Sequence, residues 1–556
     1  MSGNGSTQAT VLRLDVRDNV LVALTDLRKC ETVSFQGNDY SLLSDVPAKH
    51  KFLTQDVSAG GDIIMYGILV GKAMENLQRG DLLSTRNIRH AAAEFHESTT
   101  SAPSWVPPDI SAWANKTFLG FHREDGQVGS RNYWLVLPLV FCENRNLAVL
   151  KQAFEEELGF AAPQIYRSQV AELARLYREG KSEELKKAAF GEMKRAIASP
   201  RVFQNLDGIK FLLHEAGCGG THEDARNLCG LLAGYIHHPN VAGATVLSLG
   251  CQHAQVPMLL EEIKRRDPNF KKPVLIFEQQ KSASEAAMLG RAIRETFLGM
   301  VEADKVTRRP APLSKLRLAL QCGGSDGFSG LSANPAIGHT ADLVAALGGT
   351  GILSEFPELC GVEQQLIDRC VRKEVADRFA QLMRDYAARA KAVRASFEMN
   401  PSPGNIRDGL LTDAMKSAGA AKKGGTSPVT AALDYPEYST EPGLNLHCTP
   451  GNDVESVSAQ VGAGANVVLF TTGLGTPTGN PIAPVLKIAT NSKLAQRMSD
   501  IIDIDAGGII TGETNIEKMG EAILERVIQV ASGEARTKAE LLSQDDFIPW
   551  KRGVSL

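Results

Sequence analysis

The sequence predicts an α/β protein: a small β-rich module, then two α/β domains with mainly parallel sheets. Three observations carry this. Beyond residue 118, apolar runs of strand length alternate with amphipathic runs of helix length, the pattern of βαβ units. The first hundred residues show instead short alternating apolar runs cut by Gly and Asp. Several predicted strands also end in glycine-rich polar loops. In parallel sheets ligands bind at those carboxyl ends, because loops diverge there and helix N-termini offer free N–H groups.

The elements follow in order. Residues 1–98 form the β-rich module, with runs such as Val11-Leu12-Arg13-Leu14 and glycines at 60, 61, 67, 71 and 80 in turn positions. Residues 99–117 read as a linker, since the text from Glu97 to Pro108 is rich in Ser, Thr and Pro without periodicity. The first α/β domain spans 118–307, pairing strands at 134–141, 209–213, 244–249 and 274–277 with helices at 145–158, 222–235, 256–265 and 282–297. A basic, Pro-containing connector at 308–312 resets the pattern. The second α/β domain, 313–556, has expected strands at 316–320, 467–470 and 501–505 and helical text at 341–347 and 364–397.

With 556 residues, 43% hydrophobic and 22% charged, the chain is an ordinary globular one. Its net charge of −4 carries no footprint for nucleic acid. The opening residues MSGNGSTQAT lack a basic segment and an apolar core, and no apolar run reaches about 18 residues. A cytoplasmic protein with no membrane partner is therefore expected. Nine cysteines in no dense, even pattern argue for reduced thiols.

Three strand ends carry cysteine beside glycine: Gly217-Cys218-Gly219-Gly220, Gly250-Cys251-Gln252-His253 and Gln321-Cys322-Gly323-Gly324-Ser325-Asp326. Thiolates are soft ligands for iron or zinc, and the neighbouring glycines admit a metal or substrate to the backbone. Cys218, Cys251 and Cys322 are thus candidate metal ligands; each is equally readable as a small buried residue. In Glu355-Phe356-Pro357-Glu358 the proline breaks a helix, so both carboxylates fall on a loop or first turn. General acid–base work or metal ligation needs carboxylates so placed, although helix capping uses them too. Asn405, Thr426, Lys487 and Asn491 lie in turn-forming or polar text able to cradle a carboxylate or polyol. Arg131 precedes a predicted strand, where a guanidinium suits carboxylate clamping. His50, in the small module, is either structural or a base.

These segments, in order, resemble the altronate dehydratase family, which includes the galactarate dehydratases. The likeness runs from the His50 module through Asp125-Gly126-Gln127-Val128-Gly129-Ser130-Arg131-Asn132, the three cysteine loops, Glu355-Phe356-Pro357-Glu358, residues 400–405, Thr449-Pro450-Gly451 and residues 470–475 to Asp546-Phe547-Ile548-Pro549-Trp550. It implies a β-clip module of the SAF type, two α/β domains, and a hydro-lyase converting a sugar acid, D-altronate first, to a 2-keto-3-deoxy acid in hexuronate catabolism. Galactarate or another aldarate or aldonate is the alternative substrate, and a non-catalytic sugar-acid sensor the alternative class. Ferrous iron or manganese is implied as cofactor, with an iron–sulfur cluster on the three thiolates as a second option. The reaction would then draw on His50, His214, Glu355 and Glu358 as catalytic groups, and on Arg131, Ser325, Asp326, Asn334, Asn405, Thr426, Lys487 and Asn491 for the substrate. A homo-oligomer is a further expectation. Two departures stand out. Many relatives carry Val-His-Thr-His-Asn where this chain has Leu83-Ser84-Thr85-Arg86-Asn87, and Gly-Cys-Glu where it has Gly250-Cys251-Gln252. Roles of those histidines and that glutamate do not carry over.

Overall fold

The computed structural model describes residues 9–96, 104–161, 165–189 and 200–555. Its N-terminal part is all β, built from small antiparallel sheets. Two of its hairpins, Thr32–Phe35 with Asn38–Ser41 and Asp62–Met65 with Ile68–Ala73, turn through Gln36-Gly37 and Tyr66-Gly67. All four turn residues have positive φ, the backbone whose twist matches that of paired strands.

Two parallel sheets follow. The first has four strands, in the order Gly208–Phe211, Tyr133–Pro138, Val241–Ser248, Val274–Glu278. The second has seven: Val429–Leu433, Gly443–His447, Thr350–Leu353, Arg317–Cys322, Val467–Thr472, Val485–Ala489 and Ile504–Asp505. Arg317–Cys322 lies at its centre and is almost wholly apolar up to its last two residues. A strand buried on both faces reads as such a continuous run.

Four strands of the larger sheet escape the sequence reading, because Thr350–Leu353, Val429–Leu433, Gly443–His447 and Val485–Ala489 are short and flanked by residues that also suit turns. The stretch 364–397 is not one helix; it breaks between Glu363–Ile367 and Lys373–Ala392. The supposed connector is also structured. Arg309–Pro312 is a strand pairing antiparallel with Thr117–Gly120, Pro310 opposite Leu119. Pro310 has no N–H to donate, which an edge strand tolerates. Trp113, inside the expected linker, is buried in the largest core.

The small module packs on the second α/β domain. Val20, Leu53, Ile63 and Met65 share one core with Phe328, Leu331, Leu411 and Met415. The loop after the central strand is therefore covered by the module.

Candidate active site

The strand Arg317–Cys322 ends in Gly323-Gly324-Ser325, and a cleft of about 380 Å³ opens there. That volume suits a small ligand. Cys322, Ser325, Glu358, Asn400, Asn405, Lys416 and Asp453 line it. Gly323 is required: a Cβ there would lie 2.2 Å from Asp453 Oδ2.

Each side chain is delivered by a neighbouring element. Glu355 has φ 64°, rare for a residue with a Cβ. Its N–H donates to Thr449 Oγ1 at 2.9 Å, and the Glu358 N–H returns to Glu355 O at 2.7 Å. Pro357 sits in the first turn of the short 3₁₀ helix Phe356–Leu359, where no N–H is needed. This turn aims both carboxylates inward. Lys416 comes from the helix Asp413–Ala421, and Lys423 from the 3₁₀ turn after it. Asp453 starts the helix Asp453–Gly462, capped by Asn452.

The charges form a chain. Lys423 Nζ donates to Cys322 Sγ at 2.8 Å and lies 3.4 Å from Glu355 Oε2. Cys322 Sγ faces Glu358 Oε2 at 3.6 Å, and Lys416 Nζ is 2.7 Å from Glu358 Oε1 while donating to Asn400 Oδ1 at 2.6 Å. Burial pushes the Glu355 carboxyl up to about 8, with the Glu358 carboxylate adding to it. Glu358 is held below the usual range: burial opposes this, but Lys416 and Lys423 outweigh it. Asp453 is raised to about 6, by burial first and then by Glu358. Burial pushes the Cys322 thiol up to about 12 against the pull of Lys423. Two carboxyls at one cleft are thus driven in opposite directions, the pattern that separates a base from an acid.

Cys322, Glu355 and Glu358 lie close enough to share an ion, and Glu355 Oε1 is buried without a partner. The donors do not fit the implied ferrous iron or manganese, however. The ammonium of Lys423 already occupies the space between Cys322 and Glu355, and Lys416 already balances Glu358. A dication there would stand beside two buried cations.

The expected site residues separate into two groups. Cys322, Ser325, Glu358 and Asn405 face the cleft, and Glu355 stands behind them on Lys423. Asn405 donates to Ser325 O at 2.7 Å and so shapes the loop. The others are corrected. Arg131 is buried on Glu540 at 2.7 Å and bonds Val530 O, so it locks domains together and cannot clamp a substrate. His214 spends both nitrogens, one on Pro138 O at 2.9 Å and one on Ala216 N–H at 3.2 Å, and burial lowers it to about 4. It holds a loop, with no nitrogen left for proton transfer. Asp326 is a buried hub, 3.0 Å from Lys49 Nζ and accepting from Thr490 Oγ1 at 3.0 Å and Asn491 Nδ2 at 3.3 Å. Asn491 also caps the helix Ser492–Arg497. Asn334 lies in the first turn of the helix Ala333–Ala346, its amide spent on Gly419 O and Thr471 Oγ1. Thr426 binds Asp342, and Lys487 is buried on Gln544; neither lines the cleft.

His50 bonds Arg407 O at 3.1 Å at the seam between module and domain, also off the cleft lining. Its neighbours matter more there: Lys49 bridges Asp326 and Asp408, and buried Lys51 donates to Gly409 O at 2.6 Å. Cys218 and Cys251 are exposed on the other parallel sheet, whereas Cys322 is buried in the cleft wall. The three thiols form no common ligand set among the described residues.

A cleft at the carboxyl ends of a parallel sheet, with opposed carboxyls, ammonium groups and a thiol, is that of an α/β enzyme acting on a small polar molecule. Comparison with known proteins supplies its family. Residues 9–91 match the altronate/galactarate dehydratase SAF domain, residues 120–304 the D-galactarate dehydratase/altronate hydrolase second domain, and residues 313–555 the D-galactarate/altronate dehydratase C-terminal domain. An altronate dehydratase of Bacillus subtilis (strain 168) is 31% identical over 98% of this chain and 99% of its own length, and one of Escherichia coli (strain K12) is 32% identical over the same shares. A galactarate dehydratase (L-threo-forming) of Escherichia coli (strain K12) is 28% identical over 95% of this chain and 94% of its own. The chain belongs to the altronate/galactarate dehydratase family, and it is a carbon–oxygen hydro-lyase.

No helix among the described residues is long and apolar enough to cross a membrane. Lys416, Lys423 and Asp453 escape the sequence reading as individual site residues. The turn-forming text before Thr426 does mark the right turn, but nothing local shows that Lys423 and not Lys422 turns inward.

Proposed function

We propose that this protein dehydrates D-altronate to 2-keto-3-deoxy-D-gluconate and water in the Cys322–Glu358 cleft. The observation that carries the reading is the pair Glu358 and Asp453, two carboxyls of one cleft with opposite displacements of proton affinity. Glu358, kept ionised, takes the C2 proton, which is weakly acidic beside the substrate carboxylate. Lys416 binds that carboxylate and the negative charge that develops on it, and its turn toward the substrate releases Glu358 to act as base. Asp453 gives its proton to the departing C3 hydroxyl, and a bound anion raises its proton affinity further. Ser325, Asn400 and Asn405 offer hydrogen bonds to the remaining hydroxyls. These steps use the chain's own residues.

An aldonate suits this cleft better than a dicarboxylate. Lys416 is the one cation among the described residues lining it, and a second terminal carboxylate would want a second cation. The two altronate dehydratases above, similar over nearly the whole chain, support the same choice. The test is a panel of aldonates and aldarates assayed for 2-keto-3-deoxy acid. Turnover of altronate with galactarate at least about tenfold slower, a difference of about 1.4 kcal/mol, is expected. Preference for galactarate would reverse the substrate assignment, and tight binding without product would make the protein a sensor.

A further inference from the structure

We propose that Cys322 and Lys423 form a reversible covalent bridge, Sγ–O–Nζ, when a peroxide enters the cleft, and that this bridge switches the enzyme off. The inference rests on the geometry of these two side chains and holds whichever sugar acid is the substrate.

Lys423 Nζ stands 2.8 Å from Cys322 Sγ. Hydrogen bonds from N–H to oxygen run about 2.7–3.2 Å, and sulfur, the larger atom, sits further off. The contact is therefore close for two atoms that share only a hydrogen, and one oxygen placed between them spans it. Both ends are held in place. Cys322 closes the central strand Arg317–Cys322, and it and Lys423 are nearly enclosed, 3% and 1% exposed. The turn Lys422–Gly424 is clamped from two sides: the Arg369 guanidinium donates to Gly424 O at 2.9 Å, and a Cβ on Gly338 would lie 2.1 Å from Lys422 O. Reacting atoms fixed this near each other have much of their entropic barrier removed in advance.

Each end also has a carboxylate to take its proton. Cys322 Sγ donates to Glu358 Oε2 at 3.6 Å, and Lys423 Nζ lies 3.4 Å from Glu355 Oε2. Glu355 is buried, and its Oε1 has no hydrogen-bond partner. A buried thiol is ordinarily inert, but Cys322 lines the cleft, so a small oxidant reaches its sulfur. One peroxide converts the thiol to a sulfenic acid and leaves as water. The Lys423 ammonium passes a proton to Glu355, and a second peroxide converts the amine to a hydroxylamine, again releasing water. Loss of a third water between the two products joins Sγ to Nζ through one oxygen. Sulfur and nitrogen each give up two electrons, and two peroxides are reduced. A dithiol returns four electrons and four protons, which regenerates thiol and amine and releases the oxygen as water. While bridged, the nitrogen is no longer an ammonium, so Glu358 loses one of the two cations that keep it ionised.

The test is peptide mass spectrometry on protein treated with hydrogen peroxide and digested without reductant. A Cys322 peptide joined to a Lys423 peptide is expected, about 14 Da heavier than the two together, for one oxygen gained and two hydrogens lost. Dithiothreitol should remove the link and restore activity in step. Cys322→Ser and Lys423→Met should lack the link, and thermal unfolding shows whether they fold; the unaltered protein decides the matter where they do not. Cys322 recovered as a free thiol, as sulfinic or sulfonic acid, or in a link about 2 Da lighter than the two peptides would overturn the bridge. Activity lost to peroxide and regained with dithiothreitol while no link forms would overturn the switch.

Discussion

Lys416 Nζ lies 2.7 Å from Glu358 Oε1, and both side chains are nearly enclosed, 10% and 5% exposed. The pair makes the cleft a charged device inside an apolar domain. Removing one member of a buried pair leaves the other uncompensated, at a cost of about 3–5 kcal/mol. Lys416→Met should therefore lower stability by that order and reduce kcat/KM by at least about a hundredfold, whereas Lys416→Arg should restore most of the stability and little of the activity. Denaturant unfolding alongside steady-state kinetics measures both.

Asp326 reports on the seam between module and domain. Its carboxylate meets Lys49 at 3.0 Å, and Lys49 is held also by Asp408. Asp326→Asn should loosen the module without unfolding it, seen as faster amide exchange at Lys51–Leu53, whose backbone pairs with Val20–Ala23. Unchanged exchange would mean that the shared apolar core alone fixes the docking.

Arg131 separates a structural from a substrate role. It is 2% exposed and bidentate to Glu540. Arg131→Lys should cost about 3 kcal/mol of stability and leave KM for the sugar acid unchanged in the folded fraction. A raised KM at full stability would restore it as a substrate clamp.

Three buried histidines set an acid limit. Burial lowers His214 and His447 to about 4 and His238 to about 3. A histidine in the unfolded chain titrates near 6.5, so these groups take up protons on unfolding at acid pH. Their contribution to stability is complete above pH ~6.5 and is lost as pH falls through about 4. The histidines should therefore make the unfolding temperature fall as pH drops from ~6.5 toward ~4, whereas Glu355, raised to about 8, makes it fall as pH rises toward 8; a profile with no fall between pH ~6.5 and ~4 would contradict the neutral assignment.

Much of this was legible in the sequence. The alternation of strand and helix text marked the four-stranded sheet and three strands of the seven-stranded one, and the loop after Leu320 marked the cleft through Cys322, Ser325 and, further on, Glu358. What stayed hidden was long-range. Lys416 sits in Asp413-Ala414-Met415-Lys416, which reads as a solvated helix face, and only packing of that helix against the turn Phe356–Leu359 buries its ammonium. Asp326, Asn334 and Arg131 misled for the opposite reason. A polar residue at a strand end looks the same whether it faces a ligand or satisfies buried backbone, and here each is saturated by protein partners.

The account rests on Glu358 as base and Asp453 as acid, and exchange at C2 separates the two. With altronate in deuterated water, Asp453→Asn should still wash deuterium into C2 of the remaining substrate while product formation falls by about 10²–10⁴. Glu358→Gln should lose both exchange and product. Product formation by Glu358→Gln at near the normal rate would contradict the account.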